Sequence, residues 1–304
     1  MNIIDNIFFI GCPFSTQFST TNSTGVIAIL GDSITLIDSG VPSSPISTIF
    51  PFIKERGLNF NKIEKVVLTH GHFDHCGGVQ TIRKFINAEV IIHEADRKLI
   101  EEPSLMETQL HNRFPDLFTA QPTDFSSFEP ISDCRTVKNN EKLELSGYNF
   151  EVLHLPGHSA GSICLIEQDR GLYIAGDSIQ GKGERRPLIF HSSEDYLESM
   201  KTLKFKRLNL LVNAHPFPPY NMPILEGEKA QVHAVDSLKA IEELNSNVLE
   251  VLTKAGHPVS IKEIQGEIQW ARDISIGCVL EEFLKKGKAE RQMENDRILW
   301  SLKT

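Results

Sequence analysis

Three histidines and an aspartate crowd into six consecutive positions of the sequence HGHFDH. They directly follow a short apolar run and are, in order, His70, His72, Asp74 and His75. A solvent-exposed loop has no need of an apolar strand in front of it, whereas a metal site needs a rigid element that aims its ligands. Neutral imidazoles and carboxylates suit divalent metals such as zinc, iron and manganese. The cluster therefore predicts a metal site at the end of a buried strand.

Further candidate ligands follow three later apolar runs. His158 lies in LPGHSAGS, Asp177 in YIAGDSI and His215 in LLVNAHP, each just after the predicted end of a strand. A lone histidine at such a place is more often a packing residue than a ligand. Four strand exits in order, the first with four candidates, favour instead one site at which a sheet edge aims all seven side chains.

The elements that must position these ligands are predicted from apolar and β-branched runs between Gly, Pro, Ser and Asn. We expect strands at 7–10, 25–30, 34–37, 66–68, 90–92, 150–153, 163–166, 172–175 and 208–212. Apolar residues at helical spacing predict helices over 44–56 and from 79 onward. Strands mixed with helices indicate an α/β protein.

The rest of the chain, from about residue 228, has a different pattern. Ser260 and Glu263 form a capping-box signature that opens one helix, and an apolar stripe over 276–284 marks the next. Two closing runs would form a hairpin with its turn at 294–296. Three helices and a hairpin are typical of a winged-helix module.

Composition limits the classes to which the protein can belong. With 304 residues, 40% hydrophobic and 23% charged, the chain can form one large domain and a small one. We expect the first over residues 1–227, and a helical linker with a winged-helix-like domain over 228–304. A formal charge of −9 argues against a general nucleic-acid coat. Five scattered cysteines, no signal-peptide pattern and no membrane-spanning apolar run lead us to expect a cytoplasmic protein without membrane contacts.

The order of the candidate ligands resembles that of the metallo-β-lactamase-fold hydrolases. The family pattern is HxHxDH followed by a histidine, a bridging aspartate and a last histidine, and it matches here over residues 1 to about 225. The resemblance implies a four-layer αββα sandwich with a metal cleft at one edge of its two sheets. It also implies two divalent metal ions, with zinc favoured and iron or manganese as alternatives.

By the same resemblance, the ligands divide between the two metals. One metal would be bound by His70, His72 and His158. The other would be bound by Asp74, His75 and His215. Asp177 would bridge them, and metals about 3.5–4 Å apart can share a hydroxide that is a strong nucleophile near neutral pH.

Two aspartates have further roles under this resemblance. Asp74 could steer or accept a proton, so Asp74 and Asp177 are the candidate catalytic residues. Asp38, in LIDSG, matches a family aspartate that supports the ligand loop. The alternative for Asp38 is a turn residue at the end of its strand.

Candidate substrate contacts lie in the segment that follows Asp177. Lys182, Arg185 and Arg186 could bind an anionic group or could form a solvated basic loop, and His191 lies in the same segment. The Phe-rich stretch 95–138 could roof the cleft with apolar surface or merely pack.

Within the superfamily, the chain is most similar to the subgroup that carries a C-terminal winged helix and includes thioesterases and endoribonuclease-like proteins. We favour a hydrolase of thioesters or related acyl esters, with a small acyl molecule as substrate. The alternatives are a phosphodiesterase acting on RNA, a lactonase, and a winged-helix regulator that senses a ligand.

Two features of the sequence weigh against the last two alternatives. Gln180 stands where a lactonase would have a tyrosine. Residues 246–304 carry nine basic and nine acidic side chains, a balance that does not favour binding to phosphates. We therefore expect the C-terminal module to pack over the cleft or to mediate a homodimer.

Overall fold

Two β-sheets form the centre of the protein in a computed structural model that describes residues 1–16, 19–117, 128–294 and 297–303. The first sheet contains, in order across it, β1 (Asn2–Ile4), β2 (Ile7–Thr16), β3 (Ser19–Leu30), β4 (Ile34–Ile37), β5 (Ile63–Val67), β6 (Glu89–His93) and β7 (Arg135–Val137). The second contains, in order, β8 (Lys142–Leu145), β9 (Tyr148–His154), β10 (Ile163–Glu167), β11 (Leu172–Gly176), β12 (Leu210–Asn213) and β13 (Ile224–Glu226).

Helices cover the outer faces of the two sheets. In the first half of the chain they are α1 (Phe50–Glu55), α2 (Phe73–Cys76), α3 (Val79–Arg83), α4 (Arg97–Glu101) and α5 (Leu105–Arg113). In the second half they are α6 (Ser193–Leu203), α7 (Glu228–Ala255), α8 (Ile261–Glu267) and α9 (Asp273–Lys285), followed by the hairpin β14 (Ala289–Glu294) and β15 (Arg297–Leu302). A π-helical turn (Pro45–Ile49) precedes α1, and 3₁₀ turns lie at Phe60–Lys62, Glu94–Asp96 and Pro115–Leu117.

Three apolar layers separate these four layers of secondary structure. Neighbouring residues of one strand serve different layers, because successive side chains point to opposite faces of a sheet. Val67 packs between the two sheets with Phe150, whereas Val66 packs under the helices with Ile53. On the far side, Leu211 packs against the helices of the second half. The αββα sandwich and the α/β class are confirmed.

An additional helical region follows the second sheet, as the sequence predicts. We call residues 228–303 the C-terminal region; its first helix, α7, begins at Glu228, and the predicted capping box opens α8. Its apolar residues Leu252, Val279 and Trp300 belong to the same buried cluster as Leu211 of the second sheet. A separate winged-helix domain therefore stays a prediction, because this region shares its core with the sandwich.

Some elements were not predicted from the sequence. The short edge strands β1, β7, β8 and β13 and the helix α6 are absent from the predicted set. The arm formed by β2 and β3 is much longer than predicted, because backbone pairing continues through polar residues up to Thr16 and Ser19. Residues 118–127 of the Phe-rich stretch, with Phe118 and Phe125, and residues 295–296 of the predicted turn lie outside the described residues. No described helix is long and apolar enough to span a bilayer.

Two glycines of the C-terminal region test how closely α9 packs on the sandwich. A Cβ on Gly277 of α9 would lie 2.7 Å from the ring of Phe114, whereas a Cβ on Gly266 of α8 would meet nothing within 4 Å. We expect Gly277→Ala to lower the free energy of unfolding by about 1–3 kcal/mol through overpacking. Gly266→Ala should raise it by about 0.5–1 kcal/mol, since alanine favours a helix. Urea denaturation of both variants checks the opposite signs, and a gain in both would show that α9 packs loosely.

Candidate metal centre

The candidate ligands meet because their strands end at a common edge. In the second sheet, β9 and β11 both run antiparallel to β10, and β12 runs parallel to β11, so β9, β11 and β12 share one direction. His158, Asp177 and His215 follow these three strands within a few residues. The first sheet supplies the loop after β5 and the short helix α2, and the Ile163 amide donates to the Thr69 carbonyl at 2.9 Å to join the two edges.

His70, His72 and His158 form the first group of candidate ligands. One ligand atom from each lies within 4.8 Å of those of the other two. The ring centroids of His70 and His72 are 4.5 Å apart, and those of His72 and His158 are 4.6 Å apart. All three side chains are buried. This is the histidine trio that the resemblance assigns to one metal.

Asp74, His75 and His215 form the second group by the same distance criterion. Asp177 lies between the two groups with its two oxygens facing different histidines, and it forms a third group with His70 and His75 by the same criterion. Its Oδ2 is 3.6 Å from Nε2 of His158, while its Oδ1 is 3.7 Å from Nε2 of His75 and 3.5 Å from Nε2 of His215. A carboxylate that divides its oxygens in this way is placed to bridge two cations.

The atoms at the centre of the cluster fit a metal because they have no hydrogen-bond partner among the described residues. Nε2 of His70, His75 and His158 and Oδ1 of Asp177 are all buried without a hydrogen bond. Buried polar atoms nearly always have a partner, and each unsatisfied one costs about 1–3 kcal/mol. Four such atoms that converge on one point indicate that divalent cations complete the site.

Asp38 fixes the orientation of two of these histidines. Its Oδ2 lies 2.8 Å from Nδ1 of His75 and accepts a hydrogen bond from the Thr69 hydroxyl at 2.8 Å. Because the Thr69 proton points to Asp38, the Thr69 oxygen accepts from Nδ1 of His70 at 3.1 Å. Both imidazoles thus carry their proton on Nδ1 and direct an Nε2 lone pair inward. Asp38 also lies in a turn at the end of β4, where its φ is +64°.

The backbone orients two further ligands in the same way. Nδ1 of His158 lies 2.8 Å from the Leu188 carbonyl oxygen, and Nδ1 of His215 lies 2.8 Å from the Ser23 carbonyl oxygen on the β2–β3 arm. A carbonyl can only accept, so each imidazole donates through Nδ1 and leaves Nε2 free. The long arm, unpredicted from the sequence, therefore positions a candidate ligand.

The electrostatics of the cluster favour positive charge beside His75. Burial lowers the pKa of His70 and His72 well below the usual range, which keeps both neutral and able to coordinate. Burial also lowers the pKa of His75, but Asp74, Asp38 and Asp177 outweigh it and raise that pKa to about 10. Three carboxylates around one buried imidazole favour a proton there, and a divalent cation satisfies the same charges.

The cluster opens on the side of Asp74 and His215. Their side chains are 14% and 19% exposed, against 0% for His75 and 2% for His158. Aromatic side chains lie close to some of the candidate ligands. Phe73, between His72 and Asp74 in the sequence, meets Phe14 of the arm edge to face with ring centroids 5.9 Å apart. The Phe190 ring lies 5.1 Å from that of His72.

The four candidate substrate contacts occupy different surroundings. Lys182 forms an ion pair with Glu243 of α7, and the exposed Arg185 lies 3.6 Å from Glu184. His191 lies 3.3 Å from Asp195 with 43% of its side chain exposed. Each of these three groups thus has a carboxylate neighbour of its own.

Arg186 differs, because it forms no ion pair with any described carboxylate. Its guanidinium lies 4.9 Å from the Phe217 ring centroid, and that ring lies 5.7 Å from the ring of His215. Its Nε is buried without a hydrogen bond. Burial lowers the pKa of Arg186, and the nearby Asp177 opposes the shift. Among the basic residues of the loop, Arg186 is the one beside the metal centre.

Sequence reasoning missed residues that hold the ligand loops together. The buried Asp96 accepts hydrogen bonds from the amides of Gly71 and Gly161, at 2.9 and 2.6 Å, and from the Ser159 hydroxyl at 2.7 Å. It thereby ties the loop of His70 to the loop of His158. Thr69 comes directly before the first candidate ligand, and this position of a hydroxyl could have indicated its role from the sequence.

Comparisons with known proteins agree with this geometry. A family model described as the metallo-beta-lactamase superfamily matches residues 20–215, which include all seven candidate ligands. The probable metallo-hydrolase YqgX of Bacillus subtilis is 28% identical over 190 residues, 62% of this chain and 82% of that protein. The hydroxyacylglutathione hydrolase GloC of Haemophilus influenzae is 30% identical over 53% of this chain and 70% of that protein.

Two further matches concern a thioesterase and the fold. The acyl-coenzyme A thioesterase MBLAC2 of Gallus gallus is 28% identical over 45% of this chain and 49% of that protein. A metallo-beta-lactamase family protein from Thermus thermophilus has a solved structure that superposes with a TM-score of 0.78. That match covers 99% of this chain and all of the other at 17% identity, so it concerns the fold, including the C-terminal region.

The role of Asp38 is tested by Asp38→Asn. Asparagine tolerates the positive φ of this position, but its NH₂ group would face a proton donor in place of one accepting oxygen. We expect the affinity for zinc to fall about 10- to 100-fold, as for other groups that orient metal ligands. Competition with a chromophoric chelator measures it, and the exposed turn variant Asp32→Asn is the control. Unchanged affinity in Asp38→Asn would leave Asp38 as a turn residue only.

Proposed function

This chain belongs to the metallo-beta-lactamase superfamily, and from that premise we propose that it is a dinuclear metal hydrolase acting on thioesters. The observation that carries the proposal is the division of the Asp177 oxygens between two groups of ligands. His70, His72 and His158 would hold one ion, and Asp74, His75 and His215 the other. Zinc is the favoured metal, with iron or manganese as alternatives.

When bound, the two metals would supply an activated water and polarise the scissile carbonyl. The residues of the chain itself orient the candidate ligands. Asp38 and Thr69 keep the imidazoles of His70 and His75 in one tautomer. Asp74 lies on the open side, where its Oδ2 is 3.3 Å from Nε2 of His215. Burial raises the pKa of Asp74, but His75, His215 and His72 together outweigh it and hold that pKa below its usual range, so Asp74 stays an anion.

The aromatic rim supports an acyl substrate. Phe14, Phe73 and Phe190 present apolar rings close to the candidate ligands. Burial of apolar surface contributes about 25 cal/mol per Å², so such a rim favours an acyl chain over a phosphate backbone. Thioester hydrolysis needs little further assistance from the protein to expel the leaving group, because a thiolate is a good leaving group.

Arg186 supports an anionic substrate in particular. A partly buried guanidinium without a carboxylate partner is costly, and an anionic group of the substrate would relieve that cost. Coenzyme A offers phosphates, and glutathione offers carboxylates. The names of two relatives, a hydroxyacylglutathione hydrolase and an acyl-coenzyme A thioesterase, agree with this class.

An RNA phosphodiesterase is the second candidate, favoured by the basic loop after Asp177. Lys182 and Arg185 of that loop already lie beside carboxylates. On α9, which a winged-helix regulator would use for recognition, Glu281 pairs with Arg113 of α5. These pairs neutralise the cations that would face a nucleic acid, and they favour the acyl substrate over both RNA hydrolysis and DNA binding.

The metal content is the first test. We expect two divalent ions per chain by elemental analysis of the fully loaded protein, and one or fewer in His158→Ala, with loss of hydrolysis. The loss follows because this variant removes a ligand rather than core volume. His257→Ala is the control, since His257 is exposed, follows α7 and is not one of the candidate ligands. One ion or fewer in the parent protein would refute the dinuclear site.

The substrate class is tested with one acyl group on three thiols. We expect coenzyme A and glutathione thioesters to be hydrolysed with a higher kcat/KM than the neutral N-acetylcysteamine thioester. Arg186→Gln should lower kcat/KM about tenfold or more for the anionic substrates, since it removes a charge-assisted contact, and leave the neutral one unchanged. Lys182→Gln is the control. An equal loss on all three thioesters would refute anion recognition by Arg186.

Single-stranded RNA, a phosphodiester and a lactone belong in the same assay. Faster turnover of RNA than of every thioester would overturn the proposed substrate class while leaving the metal site intact.

A further inference from the structure

A short segment, residues 187–191, lies between α9 of the C-terminal region and the metal centre and forms neither helix nor strand. Ser275, in the first turn of α9, makes two hydrogen bonds to the backbone of this segment. Its hydroxyl donates to the Pro187 carbonyl at 2.9 Å and accepts from the Ile189 amide at 3.0 Å. Ser275 is fully buried. Water therefore cannot replace either hydrogen bond if the hydroxyl is removed.

Leu188, between the two residues that Ser275 contacts, faces a candidate metal ligand. Its carbonyl oxygen lies 2.8 Å from Nδ1 of His158. Gln180 holds both peptide groups of Leu188 from the side of the sandwich, since its Oε1 accepts from the Leu188 amide at 2.7 Å and its Nε2 donates to the Leu188 carbonyl at 3.0 Å. The two peptide groups that flank Leu188 are thus clamped between Gln180 and Ser275.

Further contacts from the same direction fix the rest of the segment. The guanidinium of Arg113 donates to the carbonyls of Phe190 and His191, at 2.5 and 3.0 Å, and is paired with Glu281 of α9. The hydroxyl of Ser193 donates to the Cys278 carbonyl at 3.1 Å. α9 therefore controls both the carbonyl that orients His158 and the backbone that carries the Phe190 ring.

The direction of an imidazole lone pair depends on where its other nitrogen donates. Groups that accept this hydrogen bond typically change metal affinity 10- to 100-fold when they are lost. The acceptor of His158 is a backbone carbonyl in an irregular segment, so its position depends on what clamps that segment. A displacement of Leu188 would rotate His158 and leave the ligands of the other group in place.

We propose that Ser275 is a positioning residue of the metal centre, which acts through Leu188 on His158. The C-terminal region is then part of the metal site and more than a cover over it. This inference rests on the ligand set of the proposed function, with His158 in the group of His70 and His72. The inference concerns only the metal that His158 would bind, and it predicts no change at the other metal.

The test is the graded series Ser275, Ser275→Cys and Ser275→Ala, since a thiol keeps the shape and weakens both hydrogen bonds. Stepwise titration of the metal-free protein with zinc and cobalt(II) gives the two dissociation constants, and cobalt absorption reports each site. We expect Ser275→Ala to weaken one site about tenfold, Ser275→Cys to weaken it less, and the other site to keep its affinity. Gln180→Ala should weaken the same site at least as much, because it releases both peptide groups of Leu188 and also removes a side chain 3.3 Å from Nδ1 of His158.

Ser260→Ala is the matched control. It removes the capping hydroxyl of α8 in the same region, at a cost of about 1 kcal/mol in stability, without contact to residues 187–191. We expect it to bind both metals as the parent does.

Parent-like affinities in a folded Ser275→Ala protein, or equal weakening of both sites, would overturn the role of Ser275. Should Ser275→Ala not fold, the Ser275→Cys titration decides by the same criterion. Failure of the parent protein to bind two metals would instead overturn the proposed function.

Discussion

Seven buried or half-buried candidate ligands converge at one edge of the two sheets, and the rest of the structure depends on this constraint. In the part of the chain that the structure describes, inward-pointing nitrogens of three histidines and one oxygen of Asp177 have no hydrogen-bond partner. Divalent cations at the centre would satisfy these atoms and the surrounding carboxylates together. Metal binding would then be coupled to folding of the ligand loops.

The two sheets share the work of holding this cluster. Each contributes strand ends, and Asp96 bridges a loop from the first sheet to a loop from the second. Asp38 and Thr69 set the proton positions on one side, while backbone carbonyls of Ser23 and Leu188 do so on the other. A layered sandwich suits such a site because its rigid strands deliver ligands to one edge with little conformational freedom.

The apolar rim and the cation Arg186 would then select the substrate, and α9 connects that selection to the metals. Phe190 belongs to the segment that α9 clamps, and the same segment orients His158. A change in the packing of α9 would act on both at once. The proposed coupling would give the C-terminal region a role that requires no nucleic acid, and the ion pair between Glu281 and Arg113 agrees with it.

The sequence by itself determined the set of candidate ligands, the α/β class and the order of helices and hairpin after residue 228. It could do so because HxHxDH is a local pattern, and because apolar periodicity records which residues are buried. It did not reveal the short edge strands β1, β7, β8 and β13, whose few residues carry little apolar signal, or the polar half of the β2–β3 arm. The partners of Ser275 and Arg186 were also hidden. Only the tertiary structure decided these, because hydrogen bonds between residues more than 80 positions apart leave no trace in local spacing.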